Sequence, residues 1–251
     1  MIRISLGNPG SGKTLCEVRD MILNRTGRVI YTNIIPKQPK LTPHIRTINK
    51  GMIVKEEIIG YKNKKDGSSE PIKDLKLNVE FWKEHKEPVS VVLDEVHNIM
   101  NARRSMSKQN IITTDFLALL RRVLGQGDSG YGELVLISQL SNRIDIIARE
   151  MATQVRYHVC HYMKTCRKCG QKYKENSETS EQLYKCETCG SFDLLKHGHY
   201  IEVWCFQNME SYETWKSYGQ KTYGNHYYVT DVEKFFKYYN TLQWEDMLSE
   251  N

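Results

Sequence analysis

No stretch of this chain approaches the roughly 18 consecutive apolar residues that a membrane-crossing helix needs, so no such helix is expected. The opening residues, Met-Ile-Arg-Ile-Ser, enter a strand pattern at once and leave no room for a secretion signal. Internal repeats and low-complexity tracts are lacking as well. So is a strong charge of one sign: 36 Lys and Arg stand against 30 Asp and Glu, a net +6. That excess permits contact with nucleic acid without announcing it, because scattered lysines ordinarily cover a solvated face. These absences lead to the expectation of a cytoplasmic protein, whose attachment to any membrane would need a partner protein. At 251 residues the chain is long enough to bury a core, as one large domain or one domain with a small appendage.

What is present begins with Gly7-Asn8-Pro9-Gly10-Ser11-Gly12-Lys13-Thr14, which fits G-x-x-x-x-G-K-[ST] at every position. Residues 2–6 ahead of it read as a short strand, and residues 15–24 as a helix with Leu15, Val18, Met21 and Ile22 on one side. In that context glycines let backbone N–H groups curl about a phosphate, and the helix adds its positive end. Lys13 would reach the terminal phosphates as a point charge, and the Thr14 hydroxyl would join the shell of Mg²⁺. A glycine turn that binds nothing is the competing explanation. The complete motif with both flanks argues against it.

Further along, residues 28–34 read as a second strand and 46–48 as a short third. Residues 52–59 and 72–77 flank a Lys-Lys-Asp-Gly turn, a hairpin whose Lys62, Lys64 and Lys65 would touch DNA or simply be solvated. Residues 79–85 read as a short helix. Val89-Ser90-Val91-Val92-Leu93 is the kind of run that fills a parallel strand covered on both faces, and Asp94-Glu95 follow where α/β sheets hold ligands. Downstream of a glycine loop, Asp94 would hold Mg²⁺, directly or through water, and Glu95 would orient and activate attacking water. Residues 116–124 read as a helix with Arg121 and Arg122 in its last turn, where cations complement the helix dipole. Residues 133–140 form another buried-type strand, so Gln139 would lie between Asp94 and a γ-phosphate or face water. A helix over 142–151 carries Arg143 and Arg149, and strands are expected over 154–163 and 200–206. The aromatic C-terminal region, with helical spacing from Val232 onward, reads as core or docking surface. Alternating strands and helices behind a first phosphate loop predict a three-layer α/β fold.

Of seven cysteines, four form Cys166-x-x-Cys169 and Cys186-x-x-Cys189, leaving Cys16, Cys160 and Cys205 single. The odd total and the CxxC pairing suit a reducing compartment. Sixteen residues separate the pairs, and a glycine follows each, allowing the tight knuckle of a zinc site. Four thiolates would hold a structural Zn²⁺ in a closed tetrahedral shell; two redox pairs or plain core cysteines are the alternatives. The segment 171–183 is too polar to bury itself and needs such a staple. The expected organisation is a P-loop core over 1–163, which the resemblance below makes an ATPase core, a zinc-ribbon insertion over 164–198 at a hairpin tip, and strands and a helix over 199–251 completing or docking on the core. Arg167, Lys168, Lys172 and Lys174 of the ribbon would meet nucleic acid or a neighbouring subunit.

The ordered set of the phosphate loop, Tyr31-Thr32-Asn33-Ile34, Leu93-Asp94-Glu95-Val96-His97-Asn98, Leu120-Arg121-Arg122, Gly127-Asp128, Leu136-Ile137-Ser138-Gln139 and residues 145–149 resembles a known family. It is similar to the Zot (zonular occludens toxin-like) and filamentous-phage assembly ATPases, a branch of the FtsK–HerA class of P-loop motors. The resemblance implies ATP as ligand and a ring-forming homo-oligomer. It implies DNA or virion assembly proteins as partners and a role in virion assembly, secretion or DNA movement. The lack of an apolar span adds the expectation of a place in the host-cell cytoplasm, peripheral to a membrane only through a partner. It gives phosphate and Mg²⁺ ligation to Lys13 and Thr14, the acidic pair to Asp94 and Glu95, and a sensor role to Gln139. Arg122, Arg143 or Arg149 would be an arginine finger supplied to a neighbour's site. Composition rich in Ile, Lys and Tyr, with free use of zinc, suggests an archaeal virus or other mobile element. The activity expected is ATP hydrolysis driving DNA translocation, packaging or virion assembly. An AAA+-type replication initiator or loader would add a helical lid and a DNA-reading helical domain. A two-lobed helicase, suggested by Asp94-Glu95-Val96-His97, would need a second lobe. A nucleotide-dependent scaffold that does not hydrolyse ATP would use the same loop.

Overall fold

The structure, a computed structural model, describes residues 1–63, 69–84, 88–96, 132–144, 146–179 and 181–239. In chain order come β1 (Ile2–Leu6), α1 (Lys13–Leu23), β2 (Val29–Thr32), β3 (Ile45–Thr47), α2 (Lys50–Ile53), β4 (Val54–Asn63), β5 (Ser69–Leu77), α3 (Val79–Lys83) and β6 (Val89–Leu93). They are followed by β7 (Glu133–Ser138), α4 (Ile146–Glu150), β8 (Gln154–Cys166), β9 (Lys172–Asn176), β10 (Leu194–Phe206), α5 (Met209–Tyr218) and β11 (Asn225–Val229). Among the described residues no helix is long and apolar enough to cross a membrane.

Every residue of β1, β6 and β7 is buried, as expected of strands covered on both faces. They pair in parallel and centre a nine-stranded sheet of order β11-β10-β8-β1-β7-β6-β2-β3, with β9 also paired to β8. Alternation along β1 splits its side chains between two cores. Ile2, Ile4 and Leu6 enter one apolar layer with Trp82 of α3, Ala148 of α4 and Tyr212 of α5. On the other face α1 lays down Leu15, Val18 and Met21 against Val92, Val135, Ile137, Ile201 and Val203. Helices thus cover both faces, and the chain has the mixed α/β architecture of a P-loop NTPase core with the cysteine pairs carried on a long hairpin.

That hairpin is β8 and β10, antiparallel from Phe206↔Val155 out to Leu194↔Cys166. Both strands continue through positions 163 and 199, with one register shift between His197 and Tyr200, so the sheet reaches the first knuckle cysteine. β8 holds two partners on the edge away from β10: β1 pairs with its residues 154–157, and β9 with 161–165. β9 therefore lies in line with β1, beyond its C-terminal end.

Three sequence expectations change. The helix over 142–151 divides into a 3₁₀ turn, Ser141–Arg143, and α4, because Ile144 takes an extended backbone that turns it into the core. Residues 50–53 form a helical turn, so the hairpin strand starts only at Val54. From Val232 the chain winds as a 3₁₀ helix to Tyr238, entered through Asp231 at φ 59°, and Val232 packs in the α1 layer. The helix over 116–124, Arg121, Arg122, His97, Asn98, Gly127, Asp128 and the turn bearing Lys64 and Lys65 lie outside the described residues.

Candidate functional site

The loop between β1 and α1 is shaped by sterics at two glycines. Gly7 has φ 154°, and a Cβ there would meet Ser11 Oγ at 2.4 Å and the His158 carbonyl oxygen at 2.6 Å. Gly12 has φ 84°, and its Cβ would lie 2.3 Å from Ile201 Cδ1. A side chain at Gly7 would collide with the backbone of β8, and one at Gly12 would displace the Ile201 side chain and strain a left-handed backbone. Gly12 is also the N-cap of α1 and offers no side-chain acceptor, so the first-turn amides of the helix keep their hydrogen-bonding capacity. The Asn8 carbonyl closes the loop by accepting from Ser11 N at 3.0 Å and from Lys13 Nζ at 3.3 Å.

Beneath the loop, Ser11 Oγ and His158 Nε2 are buried with no hydrogen-bond partner among the described residues. His158 Nδ1 lies 3.1 Å from the Leu6 carbonyl, which requires the proton on Nδ1 and leaves Nε2 as a bare acceptor. Burial pushes this imidazole down to about 4, so it is neutral.

Two strands away, Asp94 and Glu95 leave the end of β6. The Thr14 hydroxyl donates to Asp94 Oδ2 at 3.0 Å, joining the helix start to the acidic pair across 80 residues of chain. Asn33 clamps the same peptide: Asp94 N donates to Asn33 Oδ1 at 2.7 Å, and Asn33 Nδ2 donates to the Asp94 carbonyl at 2.9 Å. Burial pushes the Asp94 carboxyl up to about 6, against hydrogen bonds from Glu95 N and Thr14. Burial lowers the Lys13 ammonium, while Glu95 and Asp94 hold it up. Glu95 takes a left-handed backbone, φ 49°, uncommon without a glycine, and accepts from Gln139 Nε2 at 3.3 Å. Lys13, Thr14, Asp94, Glu95 and Gln139 are thus brought together.

The candidate arginines part company. Arg143 is exposed in the turn that follows β7, on the rim of the glycine loop. Arg149 pairs with Glu213 at 3.6 Å, shortly before Thr153, whose N–H bonds to Ile2 at the opposite rim. Arg122 lies outside the described residues.

The underside of α1 rests on charge. Arg3 of β1 reaches Glu17 at 2.7 Å and Glu133 at 2.8 Å, and Arg28 and Arg156 complete the network with Glu133 and Asp20. Burial pushes the Glu17 carboxyl up, but Arg3, Arg156 and the Ser5 hydroxyl pull it further down, to about 2. A cavity of ≈ 550 Å³ opens here, and these carboxylates answer its buried arginines, so it belongs to the bed of α1.

At the far end of the hairpin Cys166, Cys169, Cys186 and Cys189 present sulfurs all within 4.8 Å of one another. Cys166–Cys189 and Cys169–Cys186 stand 3.6 and 3.5 Å apart, close to the roughly 3.8 Å edge of a tetrahedron with Zn–S bonds of about 2.3 Å. Gly170 and Gly190 donate to the carbonyls of Cys166 and Cys186, closing the two knuckles. His161, His197 and His199 bond elsewhere, to Glu202, Thr165 and Glu233. Sequence reasoning missed the roles of Asn33 and His158. Asn33 stands within the stretch 31–34 with no role given to it, no motif marks His158, and each acts through a partner more than 60 residues distant.

Glycine loop, helix start and acidic strand end on a parallel sheet define a protein of the P-loop NTPase class. The family model for zonular occludens toxin (Zot) matches residues 1–186, and the chain belongs to that family. Among solved structures it is similar to the N-terminal domain of zonular occludens toxin from Neisseria meningitidis, at 15% identity over 95% of this chain and 98% of that one, TM-score 0.45. It is also similar to B204, the DNA-packaging ATPase from Sulfolobus turreted icosahedral virus, at 11% identity over 62% of this chain and 74% of that one, TM-score 0.36. The genome packaging NTPase B204 of Sulfolobus turreted icosahedral virus 2, in complex with AMPPCP, aligns at 10% identity over 91% and 96%, TM-score 0.39. No curated protein matches.

Proposed function

We propose that this chain is an ATP-hydrolysing P-loop motor of a virus or other mobile element, moving DNA or driving virion assembly as a homo-oligomeric ring. The observation that carries the reading is the 3.0 Å hydrogen bond from the Thr14 hydroxyl to Asp94, which faces an acidic strand end to the glycine loop. The triphosphate lies in the loop, with Lys13 swinging from the Asn8 carbonyl to the terminal phosphates and the buried Ser11 hydroxyl free to donate. Thr14 and Asp94 would hold Mg²⁺, which neutralises phosphate charge. Glu95, fixed by its backbone and by Gln139, takes a proton from the water that attacks the γ-phosphorus. Gln139, hydrogen-bonded to Glu95, would register the presence of that phosphate. Arg143, exposed on the same rim, serves as the finger for a neighbouring subunit's site.

Residues 1–163 form the motor core and 199–251 complete it. Residues 164–198 are held by a structural Zn²⁺ on the four cysteines, a closed shell that supplies folding energy and no catalysis.

The test is ATP turnover with and without single- and double-stranded DNA, alongside native mass with and without nucleotide. Lys13→Ala should abolish turnover, and a Lys13→Ala protein of normal activity removes this site. DNA stimulation with a nucleotide-dependent ring is the expected result. Tight ATP binding with no turnover under any condition would leave a scaffold in place of a motor.

A further inference from the structure

The cysteine cluster and the glycine loop are joined by a short physical path. β9 leaves the first knuckle two residues after Gly170, runs five residues along β8, and ends at Asn176 opposite His161. It occupies the same edge of β8 as β1, whose last residue pairs with Tyr157. Only positions 158–160 separate the two on that edge, and the chain leaving β9 closes the interval.

A tight turn over Asn176–Thr179 makes the closure. Asn176 Oδ1 accepts from Glu178 N at 2.9 Å, and Thr179 N donates to the Asn176 carbonyl at 3.2 Å. Ser177 is fastened at two points to the backbone of Cys160: its N–H donates to the carbonyl at 2.9 Å, and its hydroxyl accepts from the amide at 3.1 Å. Its own carbonyl then accepts from Asn8 Nδ2 at 3.4 Å, and Asn8 is the residue whose carbonyl closes the phosphate loop on Ser11 and Lys13. Glu178 adds a second anchor, accepting from the Tyr157 hydroxyl at 2.9 Å with Lys216 of α5 at 3.6 Å.

We infer that the turn over residues 176–179 is a positioning device for the phosphate loop, held in place by the metal-bound knuckle, so that zinc occupancy sets nucleotide affinity. This inference rests on the proposed nucleotide and zinc sites. β9 is half-exposed and polar, Lys-Tyr-Lys-Glu-Asn, and among the described residues pairs along one edge only. Such a strand has little apolar burial to hold it, and its knuckle end depends on the four sulfurs. Releasing that end frees Ser177 from Cys160 and Asn8 from Ser177, over a span of about 17 Å. The sheet beneath is untouched, because β8 keeps β10 and β1 as partners.

The full chain is loaded with zinc, checked for one metal per chain, and compared with the same protein after chelation. Two readouts are taken: backbone amide exchange over residues 7–14, without nucleotide, and affinity for a fluorescent ATP analogue. Zinc removal should speed exchange over 7–14 and weaken the analogue about fivefold, the equivalent of one hydrogen bond. Ser177→Ala, which keeps all four cysteines, should retain zinc and reproduce part of both effects. Unchanged exchange over 7–14 while residues 166–190 open on chelation overturns the inference. So does a protein that takes up no zinc with its thiols intact. If the zinc-loaded protein binds no nucleotide, the nucleotide reading falls, and the exchange readout still decides whether metal and loop are coupled.

Discussion

The two sites of this chain are built in opposite ways. The cysteine cluster draws its four sulfurs from one continuous stretch, Cys166 to Cys189, and its knuckles close through local bonds from Gly170 and Gly190. The proposed phosphate site draws Lys13 and Thr14 from α1, Asp94 and Glu95 from the end of β6, and Gln139 from the end of β7. No local spacing brings these together; strand order does. A site made of neighbours depends on its own segment. A site made of strand ends depends on the whole sheet and on the bed beneath α1.

The sharpest way to test that contrast is Glu95→Gln. Hydrolysis should fall by about 10²–10⁴-fold while nucleotide affinity and zinc content stay as they were. Normal turnover in single-cycle assays would remove Glu95 from the chemistry.

Next in size is Glu17→Ala, which removes the most deeply buried carboxylate of the network and leaves Arg3 only Glu133 and Arg156 only Asp20 among the described residues. Urea unfolding should show a loss of about 3–5 kcal/mol, the cost of breaking one side of a buried ion network. Nucleotide affinity should drop with it, since α1 loses its seat, and zinc should still bind at one per chain. A loss below about 1 kcal/mol, the range of surface pairs, would mean the network adds little.

The smallest effect is a pH dependence of Mg²⁺-assisted nucleotide binding. The metal needs a charged Asp94, whose carboxyl is pushed up to about 6. Affinity should be flat above that value and fall about tenfold per unit below it. In the free protein the folded state holds that proton more tightly than the unfolded chain does, so Asp94 lowers stability as pH rises from 3.8 to about 6. Glu17 acts in the other direction: its contribution is full above 4.5 and is lost as pH falls toward 2. Asp94→Asn should flatten the binding profile, and a profile that keeps its step near 6 would assign the titration elsewhere.

The glycine loop, the buried strands and the cysteine spacing were readable along the chain because each depends on neighbours in sequence. Complete burial of β6 and β7 follows from their apolar runs, and Gly7 and Gly12 stand where the motif places them. The division of the 142–151 helix was not readable, since Ile144 turns inward to meet a core supplied by other strands. Nor was the Asn33 clamp on Asp94, nor the turn of Ser177 on Asn8, which link residues 61 and 169 positions apart.

What the sequence determined alone was chemical pattern: a glycine loop that fits G-x-x-x-x-G-K-[ST], an acidic strand end, and two CxxC pairs sixteen residues apart. What tertiary structure decided was adjacency. Placing β7 between β1 and β6 brings Thr14 to Asp94, and placing β9 in line with β1 brings the cysteine segment to the edge of the loop. The physical reason is that side-chain chemistry is carried by each residue, whereas proximity between distant residues exists only once the sheet has bonded its strands in one order and register.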